Sequence, residues 1–329
     1  MSLRVHVIGA GVIGLTTAVC LLEAGHAVTV TARALPPHTT SNLAAAVWYP
    51  FLVEPRDRVR TWANVTRARY VALLDDPAAG VSLVDVTIFT PEPLWWVEEL
   101  APSHGARLPD VALPPGNALA YRVQTPLIET PLFMAYLLDR VRVLGGVVAQ
   151  GDVADLTQAA RGFDAVVNCT GLGARELAAD PRVHAVAGHV IPYAPGPGLP
   201  YVMDEAVDDL DTVCYIFPRR DLVVVGGSEV VDGDATVRPE LVARIRRRAL
   251  ALAPQLATRE AGPVYVGLRP GRDAVRLERT HLADGTPVVH NYGHGGGGFT
   301  LCWGCAEETR ELLVIGKLSM VKFVASQRG

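Results

Sequence analysis

The stretch that decides the fold is Val5-His-Val-Ile-Gly-Ala-Gly-Val-Ile-Gly14, in which a short, mostly β-branched run leads directly into three spaced glycines. The residues from Leu15 to Ala24 are largely apolar and predict a buried helix, and Gly25 stands where a helix C-terminal glycine belongs. Residues 27–31 predict a second strand. A strand, a glycine loop, a helix and a second strand within about 30 residues are typical of a βαβ unit.

The spacing of Gly9, Gly11 and Gly14 predicts a dinucleotide-binding loop. Gly9 permits the tight turn, Gly11 lets the backbone approach a pyrophosphate, and Gly14 lets the helix and strand pack closely. The helix N-terminus then offers unpaired N–H donors and the positive end of its dipole to the phosphates. The loop alone leaves the choice of dinucleotide open. Arg33 stands near the end of the second strand, where an acidic residue is typical, and an arginine there suits the 2′-phosphate of NADP.

The composition of the 329-residue chain limits the classes of protein to consider. Half of the residues are hydrophobic and 19% are charged, which is typical of a folded globular protein. The net charge of -4 gives no case for binding nucleic acid. The one dense basic run, Arg244-Ile-Arg-Arg-Arg248, is interpreted as the solvated face of a helix over residues 239–253.

Three features predict a cytoplasmic protein without a membrane partner. No apolar stretch approaches the roughly 20 residues that a membrane-spanning helix needs. The first residues lead directly into the predicted strand and do not resemble a signal peptide. The five cysteines are scattered in apolar surroundings, as expected of reduced thiols.

The order of predicted elements indicates an α/β protein with two domains. Strand–helix alternation marks three parts of the chain, and strands of antiparallel character fill the two segments between them. We predict a discontinuous Rossmann-like cofactor domain from residues 1–55, 130–185 and 270–329. We predict an α+β substrate-binding domain, built on a mixed or antiparallel sheet, from residues 56–129 and 186–269.

A second glycine-rich loop lies near the C-terminus, in Val288-Val-His-Asn-Tyr-Gly-His-Gly-Gly-Gly-Gly298, and an apolar helix is predicted from Phe299. Such a loop is a second array of backbone donors. A helix N-terminus beside a flavin stabilises the negative charge of the reduced form. An NADP-binding protein has no need of this second site, so the two loops together favour FAD. We expect the FAD to be bound non-covalently.

The segment from Val288 to Ala306 resembles the C-terminal signature of the D-amino-acid oxidase family. It has two aliphatic residues, His-Asn-Tyr-Gly, one variable residue and two small residues, and then Gly298, Gly304 and Ala306 at the family spacing. Three more stretches resemble the family in the same order. They are Thr39-Thr-Ser-Asn42 with Ala44-Ala-Ala-Val-Trp48, Ala165-Val-Val-Asn-Cys-Thr-Gly171, and Gly267-Leu-Arg-Pro270. The resemblance covers most of the chain and extends to the D-aspartate oxidases.

The resemblance implies which residues bind the cofactor and the substrate. Arg269 matches the arginine that holds the substrate carboxylate, and Tyr215 matches the tyrosine that donates to it. The carbonyl of Gly296 is expected to accept from the substrate amine, and Tyr49 and Glu229 are expected to line the pocket. The expected FAD-binding residues are Gly9, Ala10, Gly11, Val12, Ile13, Gly14, Arg33, Thr39, Thr40, Ser41, Ala46, Val47, Val153, Thr170, Gly171, Gly295, Gly296, Gly298 and Thr300.

The implied reaction is the oxidative deamination of D-amino acids with O2, which gives 2-oxo acids, ammonia and hydrogen peroxide. After Gly226-Gly227, where D-aspartate oxidases carry an arginine, this chain has Ser228-Glu229. An anion there favours neutral or basic substrates over acidic ones. A glycine- or sarcosine-type amine oxidase, a D-aspartate oxidase and a non-enzymatic NADP-binding sensor remain alternatives, and a homodimer is left open. The family commonly has a second tyrosine on a lid where this chain has Asp211. Either the lid is reduced, which would suggest a more open pocket, or another residue replaces that tyrosine.

Two further patterns are interpreted as structural. Cys302-Trp-Gly-Cys305 has redox spacing, but it lies within the predicted C-terminal helix, where packing is the favoured role. His290 and His294 flank a glycine loop and do not share a helix face, so no zinc site is expected and no metal is predicted.

Overall fold

The computed structural model describes residues 2–50, 53–208 and 212–326, with side chains described as far as residue 314. The strands are β1 (Arg4–Ile8), β2 (Ala27–Ala32), β3 (Val81–Thr90), β4 (Gly105–Arg107), β5 (Leu119–Ile128), β6 (Val147–Gln150), β7 (Ala165–Asn168), β8 (His184–Tyr193), β9 (Tyr201–Asp204), β10 (Thr212–Pro218), β11 (Val223–Ser228), β12 (Val230–Val231), β13 (Tyr265–Gly271), β14 (Arg276–His281) and β15 (Pro287–Tyr292). The α-helices are α1 (Val12–Glu23), α2 (Arg56–Ala72), α3 (Trp95–Leu100), α4 (Thr130–Val143), α5 (Leu156–Ala159), α6 (Ala174–Leu177), α7 (Pro239–Leu252) and α8 (Gly298–Ser326). Within these residues, no helix combines the length and the apolarity that crossing a bilayer requires.

Six strands form a mostly parallel sheet in the order β14-β15-β7-β1-β2-β6. Strand β1 lies between β2 and β7 and is parallel to both, whereas β14 at the edge is antiparallel to β15. Val5 and Val7 of β1 have no solvent exposure, as expected of an inner strand whose faces are both covered. The helices α1 and α8 pack against each other beside this sheet.

The second sheet is larger and mostly antiparallel. Its order is β12-β8-β11-β10-β9-β3-β5-β4, and β13 also pairs with β8. Strands β3 and β5 pair antiparallel along ten residues, whereas β3 and β9 run parallel. One parallel and one antiparallel sheet, each with helices, confirm the α/β fold with an α+β substrate part.

The strands of the two sheets alternate along the chain. Those of the six-stranded sheet lie within residues 1–55, 130–185 and 270–329. Strands β3 to β5 and β8 to β13 of the larger sheet lie between these parts, apart from residues at the ends of β8 and β13. The domain limits themselves remain a prediction.

Helix α2 lies within residues 56–129, which we predict to belong to the substrate-binding domain. It nevertheless packs against α8, which lies in the predicted cofactor domain. The two helix backbones approach closely at Gly304, where an added Cβ would lie 2.2 Å from the Cα of Trp62. The backbone N–H of Gly304 also donates to the hydroxyl of Thr66 at 3.0 Å. The glycine therefore joins α2 to α8 through a contact that no larger residue permits.

The basic run on α7 is only partly solvated, so its interpretation as a solvated face is wrong for Arg248. That side chain is 15% exposed, forms an ion pair with Asp204 at 2.7 Å and donates to the carbonyl of Ala206 at 2.7 Å. Arg248 lies seven residues after buried Leu241, on the same helix face, which explains why it points inward. It ties α7 to the segment that follows β9.

The cysteines are buried and unpaired. Cys302 lies 3.4 Å from the hydroxyl of Tyr70, and burial raises the pKa of its thiol to about 12. Cys305 is also fully buried, and burial raises the pKa of its thiol well above the ordinary value. The interpretation of Cys302 and Cys305 as packing residues of α8 is confirmed.

Candidate active site

A single cavity of about 860 Å³ is lined by residues from both sheets. Its lining includes the loops that follow β1, β2, β7 and β15, together with residues of β8, β10 and β13. The volume is within the range of cofactor and ligand sites. Loops at the carboxyl ends of parallel strands meet at one sheet edge, where α/β proteins bind their ligands.

The first glycine loop enters the cavity with the geometry that its spacing predicts. Gly9 has a φ of +112°, and an added Cβ would lie 2.4 Å from the carbonyl oxygen of Cys169. A Cβ on Gly14 would lie 1.9 Å from the carbonyl oxygen of Gly9, so Gly14 brings α1 close to β1 and does not itself line the cavity. Gly11 is the N-cap of α1, so the helix begins at the cavity wall.

Ser41 has a more specific position than the sequence indicated. Its hydroxyl accepts from the backbone N–H of Val12 at 2.9 Å, which occupies one of the unpaired donors at the start of α1. The neighbouring residues Thr39, Thr40, Ala46 and Val47 also line the cavity. This loop therefore covers the N-terminus of α1 while facing the same cavity.

Arg33 lines the cavity together with Asp152 and Val153. Its guanidinium lies 3.2 Å from a carboxylate oxygen of Asp152, and both side chains are largely exposed. The positive charge that suggested a 2′-phosphate is thus offset by a neighbouring carboxylate. This exposed ion pair weakens the argument for NADP that rested on Arg33.

The second glycine loop lines the same cavity. Gly295, with a φ of +51°, starts a single 3-10 turn, and α8 begins at Gly298. Gly296 and Gly298 both face the cavity, as do Thr170 and Gly171 after β7. Two helix N-termini, those of α1 and α8, therefore begin at one cavity, where their N–H groups favour an anionic or electron-rich ligand.

Thr300 is placed differently from the other expected cofactor residues. It does not appear among the residues that line the cavity. Its hydroxyl accepts from the backbone N–H of Tyr49 at 3.0 Å and donates to the carbonyl of Tyr49 at 2.8 Å. Tyr49 lines the cavity, and its ring meets Trp96 edge-on at 5.1 Å. Thr300 thus connects the first turn of α8 to a residue of the pocket wall.

The three residues expected to bind the substrate backbone lie together. Arg269 on β13 and Tyr215 on β10 line the same part of the cavity, close enough for the Arg269 charge to act on the pKa of Tyr215, and a Cβ on Gly296 would lie 3.7 Å from Cδ of Arg269. Arg269 also donates through Nη1 to the carbonyl of Ser228 at 2.8 Å, which orients the guanidinium. Burial raises the pKa of Tyr215 while nearby Arg269 opposes the shift, so its hydroxyl keeps a proton to donate.

Glycines missed by the sequence analysis shape this part of the cavity. A Cβ on Gly188 would lie 2.5 Å from Nη2 of Arg269, so this glycine on β8 makes room for the guanidinium. A Cβ on Gly226 would lie 2.2 Å from the ring of Tyr215, and Gly227 is nearly as close. A glycine inside a strand is a signal for the close approach of another group, and that signal is present in the sequence.

The carboxyl groups of the cavity include one that no motif indicated. Glu229 lines the cavity as expected, and Glu205, after β9, lines it too. Glu205 lies in Met203-Asp-Glu-Ala206, which has no recognisable spacing or composition, so only the fold places it there. The predicted lid position Asp211 lies outside the described residues.

His290 and His294 are both buried but occupy different surroundings. Nε2 of His290 lies 3.1 Å from the hydroxyl of Thr280, and Nδ1 lies 3.5 Å from the amide nitrogen of Asn168. His294 lines the cavity, and its Nε2 has no hydrogen-bond partner among the described residues. Burial lowers the pKa of His290 to about 4 and that of His294 to about 3. Both rings are therefore neutral in the folded protein near neutral pH.

We expect the lowered pKa values of His290 and His294 to reduce the free energy of unfolding in mild acid. In the unfolded chain they take up protons near pH 6.5, whereas in the folded chain they stay neutral, so acid favours the unfolded state. Lowering the pH from about 7.5 to about 5 is expected to reduce the free energy of unfolding by about 2 kcal/mol for each ring. Denaturant unfolding at both pH values measures this difference. Over this pH range the variant His290→Asn should lose about 2 kcal/mol less of its free energy of unfolding than the parent protein, because the carboxyl groups change both proteins alike and cancel in the comparison. An equal pH dependence in both proteins would contradict the prediction.

The arrangement as a whole defines a class of protein. Two glycine loops open two helices at one cavity, which extends to an arginine–tyrosine pair suited to a carboxylate. Backbone donors at both loops and an 860 Å³ space fit a long dinucleotide with a flavin ring. The fold and site are those of a dinucleotide-binding flavoprotein oxidoreductase.

Comparisons with known proteins support the same assignment. Residues 4–312 match the model of the FAD dependent oxidoreductase family. The chain is 43% identical to a D-amino-acid oxidase of Rubrobacter xylanophilus, over 94% of this chain and 95% of that protein. It is 33% identical to a D-aspartate oxidase of Homo sapiens, over 94% of each chain. The chain belongs to the FAD dependent oxidoreductase family, and the resemblance to D-amino-acid oxidases is confirmed.

Solved structures agree at the level of the fold. A glycine oxidase from Bacillus cereus superposes with a TM-score of 0.75 at 17% identity, over 96% of both chains. An L-proline dehydrogenase from P. horikoshii superposes with a TM-score of 0.74 at 14% identity, over 96% of this chain and 94% of that one. At such identities the likeness shows the fold alone. It is the family match over residues 4–312 that makes the protein an oxidoreductase that uses FAD.

Proposed function

We propose that this protein catalyses the oxidative deamination of D-amino acids. One D-amino acid, O2 and water give one 2-oxo acid, ammonia and hydrogen peroxide. The observation that carries the proposal is the convergence of Arg269, Tyr215 and Gly296 at the cavity that both glycine loops line. The names of the relatives that match nearly the whole chain support it.

The described residues suit the binding of an α-amino acid in one orientation. The planar guanidinium of Arg269 can hold a carboxylate with two parallel hydrogen bonds, and the Tyr215 hydroxyl can donate to the same group. The carbonyl of Gly296 can accept from the neutral amine. With both groups held, the α-hydrogen of one enantiomer has a fixed direction, and this orientation is the main contribution of the protein.

The cofactor would be held by backbone N–H groups of the loop at Gly9 and Gly11 and of the loop at Gly295 and Gly296. When bound, FAD supplies a two-electron acceptor that O2 can reoxidise. Apolar side chains of Val213 and Phe217 line the cavity beside Tyr215 and limit the access of water. The released imino acid hydrolyses in water without a further catalytic group.

The negative charge of Glu229 disfavours acidic substrates, and Glu205 lies in the same cavity. A second carboxylate on the substrate would lie in the same cavity as both groups. We therefore propose that neutral and basic D-amino acids are oxidised better than D-aspartate, although a D-aspartate oxidase is among the relatives. A glycine- or sarcosine-type activity is the second candidate, because glycine oxidases share the fold.

The purified protein should be yellow and should release FAD when it is denatured. A peroxide-coupled assay with D- and L-forms of methionine, valine and alanine, and with glycine, sarcosine and D-aspartate, tests the proposal. We expect turnover of the D-forms and little or none of the others. Oxidation of sarcosine without D-alanine, or of L-amino acids in preference to D-amino acids, would overturn it.

The compartment is a further part of the proposal. All five cysteines are free and buried, which suits a reducing compartment such as the cytoplasm. Measurement of the five thiols after denaturation of protein isolated from its native cells would test this, since oxidised pairs would contradict it.

A further inference from the structure

Two carboxyl groups, Glu205 and Glu229, face the cavity that holds the arginine–tyrosine pair, and we call them the carboxyl pair. Glu205 follows β9, and Glu229 lies between β11 and β12. Oε1 of Glu205 is buried, and no donor among the described residues lies within hydrogen-bonding distance of it. A buried carboxyl oxygen without a donor is unfavourable, so it suggests that a ligand supplies the partner.

The neighbouring acids already have partners. Asp204 forms an ion pair with Arg248 at 2.7 Å and accepts from the side-chain amide of Asn117 at 2.7 Å. Asp208 lies 3.5 Å from Arg244. Among the described residues Glu205 takes part in no such pair, although Arg248 is bound to the residues on either side of it. The local cations are thus committed to other groups.

The backbone holds Glu205 toward the cavity. Its N–H donates to the carbonyl of Phe89 at 2.9 Å, which continues the pairing of β9 with β3. Arg248 binds the residues on either side of Glu205, through the carbonyl of Ala206 and the carboxylate of Asp204. Because the backbone is held on both sides of Glu205, its Cα is fixed beside the cavity that its side chain lines.

The sheet register sets the position of Glu205 relative to the carboxylate anchor. Met203 pairs directly with Tyr215, and Glu205 lies two residues further along, on the same face. Two residues of a strand span about 7 Å. This distance approaches the reach of the four-carbon side chain of lysine. A substrate anchored by Tyr215 and Arg269 could therefore extend a long side chain to Glu205.

The protonation states of Glu205 and Glu229 suit the binding of a single cation between them. Burial and then the nearby charge of Glu229 raise the pKa of Glu205 to about 8. Glu229 also contributes to the raised pKa of Tyr215, so its charge acts near the carboxylate anchor as well. Near neutral pH Glu205 keeps its proton in the free protein. An arriving cation stabilises the ionised carboxylate, and the proton passes to solvent.

We propose that the carboxyl pair is the side-chain subsite for basic D-amino acids and binds the ammonium or guanidinium of D-lysine, D-ornithine or D-arginine. The inference rests on the proposed function and narrows its substrate class. The cation would complete the hydrogen bonding of Glu205, whereas a neutral side chain would leave its Oε1 buried without a donor. Because a basic substrate supplies the hydrogen-bond donor that Oε1 of Glu205 lacks, it is favoured over a neutral one.

A role of Glu205 in binding the α-amine would change the kinetics in a different way. If it held the α-amine, it would act on every amino acid equally, and its removal would change D-lysine and D-norleucine alike. D-Norleucine has the carbon chain of D-lysine without the ammonium. The ratio of kcat/KM for these two substrates therefore isolates the interaction with the side-chain cation.

The experiment compares D-lysine with D-norleucine in the holoenzyme and in Glu205→Gln and Glu229→Gln. We expect D-lysine to be favoured by about 10- to 100-fold, and each variant to reduce that ratio by about tenfold or more. Glu311→Gln, on the exposed side of α8, is the control and should keep the ratio. A ratio near one in the parent protein, or a ratio that both variants leave unchanged, would overturn the inference.

Failure of the proposed function would look different. The unreactive acids 6-aminohexanoate and hexanoate keep the carboxylate and the chain of these substrates but lack the α-amine, and their binding can be followed by the flavin absorbance. If no amino acid is oxidised but 6-aminohexanoate binds more tightly through Glu205, the proposed oxidase activity fails and the cation subsite stands. If D-norleucine is oxidised and the two acids bind equally, the cation subsite fails and the oxidase activity stands.

Discussion

Replacing Arg269 with alanine is expected to lower kcat/KM for D-amino acids by about 100- to 1,000-fold. Removing one partner of a desolvated charge pair costs about 3 to 5 kcal/mol, and each 1.4 kcal/mol is a factor of ten. The site is partly exposed, so the lower part of that range applies. The variant also leaves the substrate carboxylate with Tyr215 alone and leaves the carbonyl of Ser228 without its donor. Steady-state kinetics with a neutral D-amino acid measures the loss.

Two variants separate this effect from misfolding. Arg269→Lys keeps the charge but cannot form two parallel hydrogen bonds, so it should recover only part of the activity. Arg246→Ala removes an exposed arginine on α7 and should have the activity of the parent protein. All three proteins should contain the same amount of FAD. If Arg269→Ala retains activity within about threefold of the parent, Arg269 is not the carboxylate anchor.

Replacing Gly9 with alanine is expected to give a protein almost without flavin. The φ of +112° is unfavourable for any residue with a Cβ, and the new Cβ would lie 2.4 Å from the carbonyl oxygen of Cys169. Because that oxygen belongs to the backbone after β7, relief requires β1 and β7 to move apart at the cavity. We expect the flavin content, measured as the ratio of absorbance at 450 nm to that at 280 nm, to fall by about tenfold or more.

Gly25→Ala is the matched control for this variant. Gly25 also has a positive φ, +82°, but an added Cβ would meet nothing within 4 Å. The variant should therefore lose about 1 kcal/mol of stability through backbone conformation and keep its FAD. Equal flavin loss in both variants would show that φ alone, and not the contact with Cys169, determines the requirement for glycine.

Much of the architecture was predictable because it depends on local patterns. A glycine loop between a β-branched strand and an apolar helix specifies a βαβ unit. The observed α1 starts at Val12, inside the loop, and ends at Glu23, one residue before the predicted end. The second glycine loop and Arg269 were identified by resemblance, because short motifs keep their spacing. The structure brings Arg269 and Tyr215 together although 54 positions separate them in the numbering.

Other features of the site could not be predicted because they arise from contacts between distant segments. From the sequence, Arg33 suggested NADP, whereas the fold places the carboxylate of Asp152 beside it and weakens that argument. The sequence predicted that Arg248 is solvated, whereas the packing of α7 directs its side chain to Asp204. Thr300 was expected at the cofactor, and its hydroxyl instead binds the backbone of Tyr49.

By itself, the sequence determined that the chain forms a dinucleotide-binding α/β protein with two glycine loops, because backbone conformation and helix starts depend on adjacent residues. Only the tertiary structure decided what else the cavity contains. Glu205 belongs to no motif, and it becomes part of the site because β9 pairs with β10 in the register that sets Met203 opposite Tyr215. Strand register is fixed by packing across the whole sheet, so a carboxyl group that depends on it cannot be read from its neighbours in sequence.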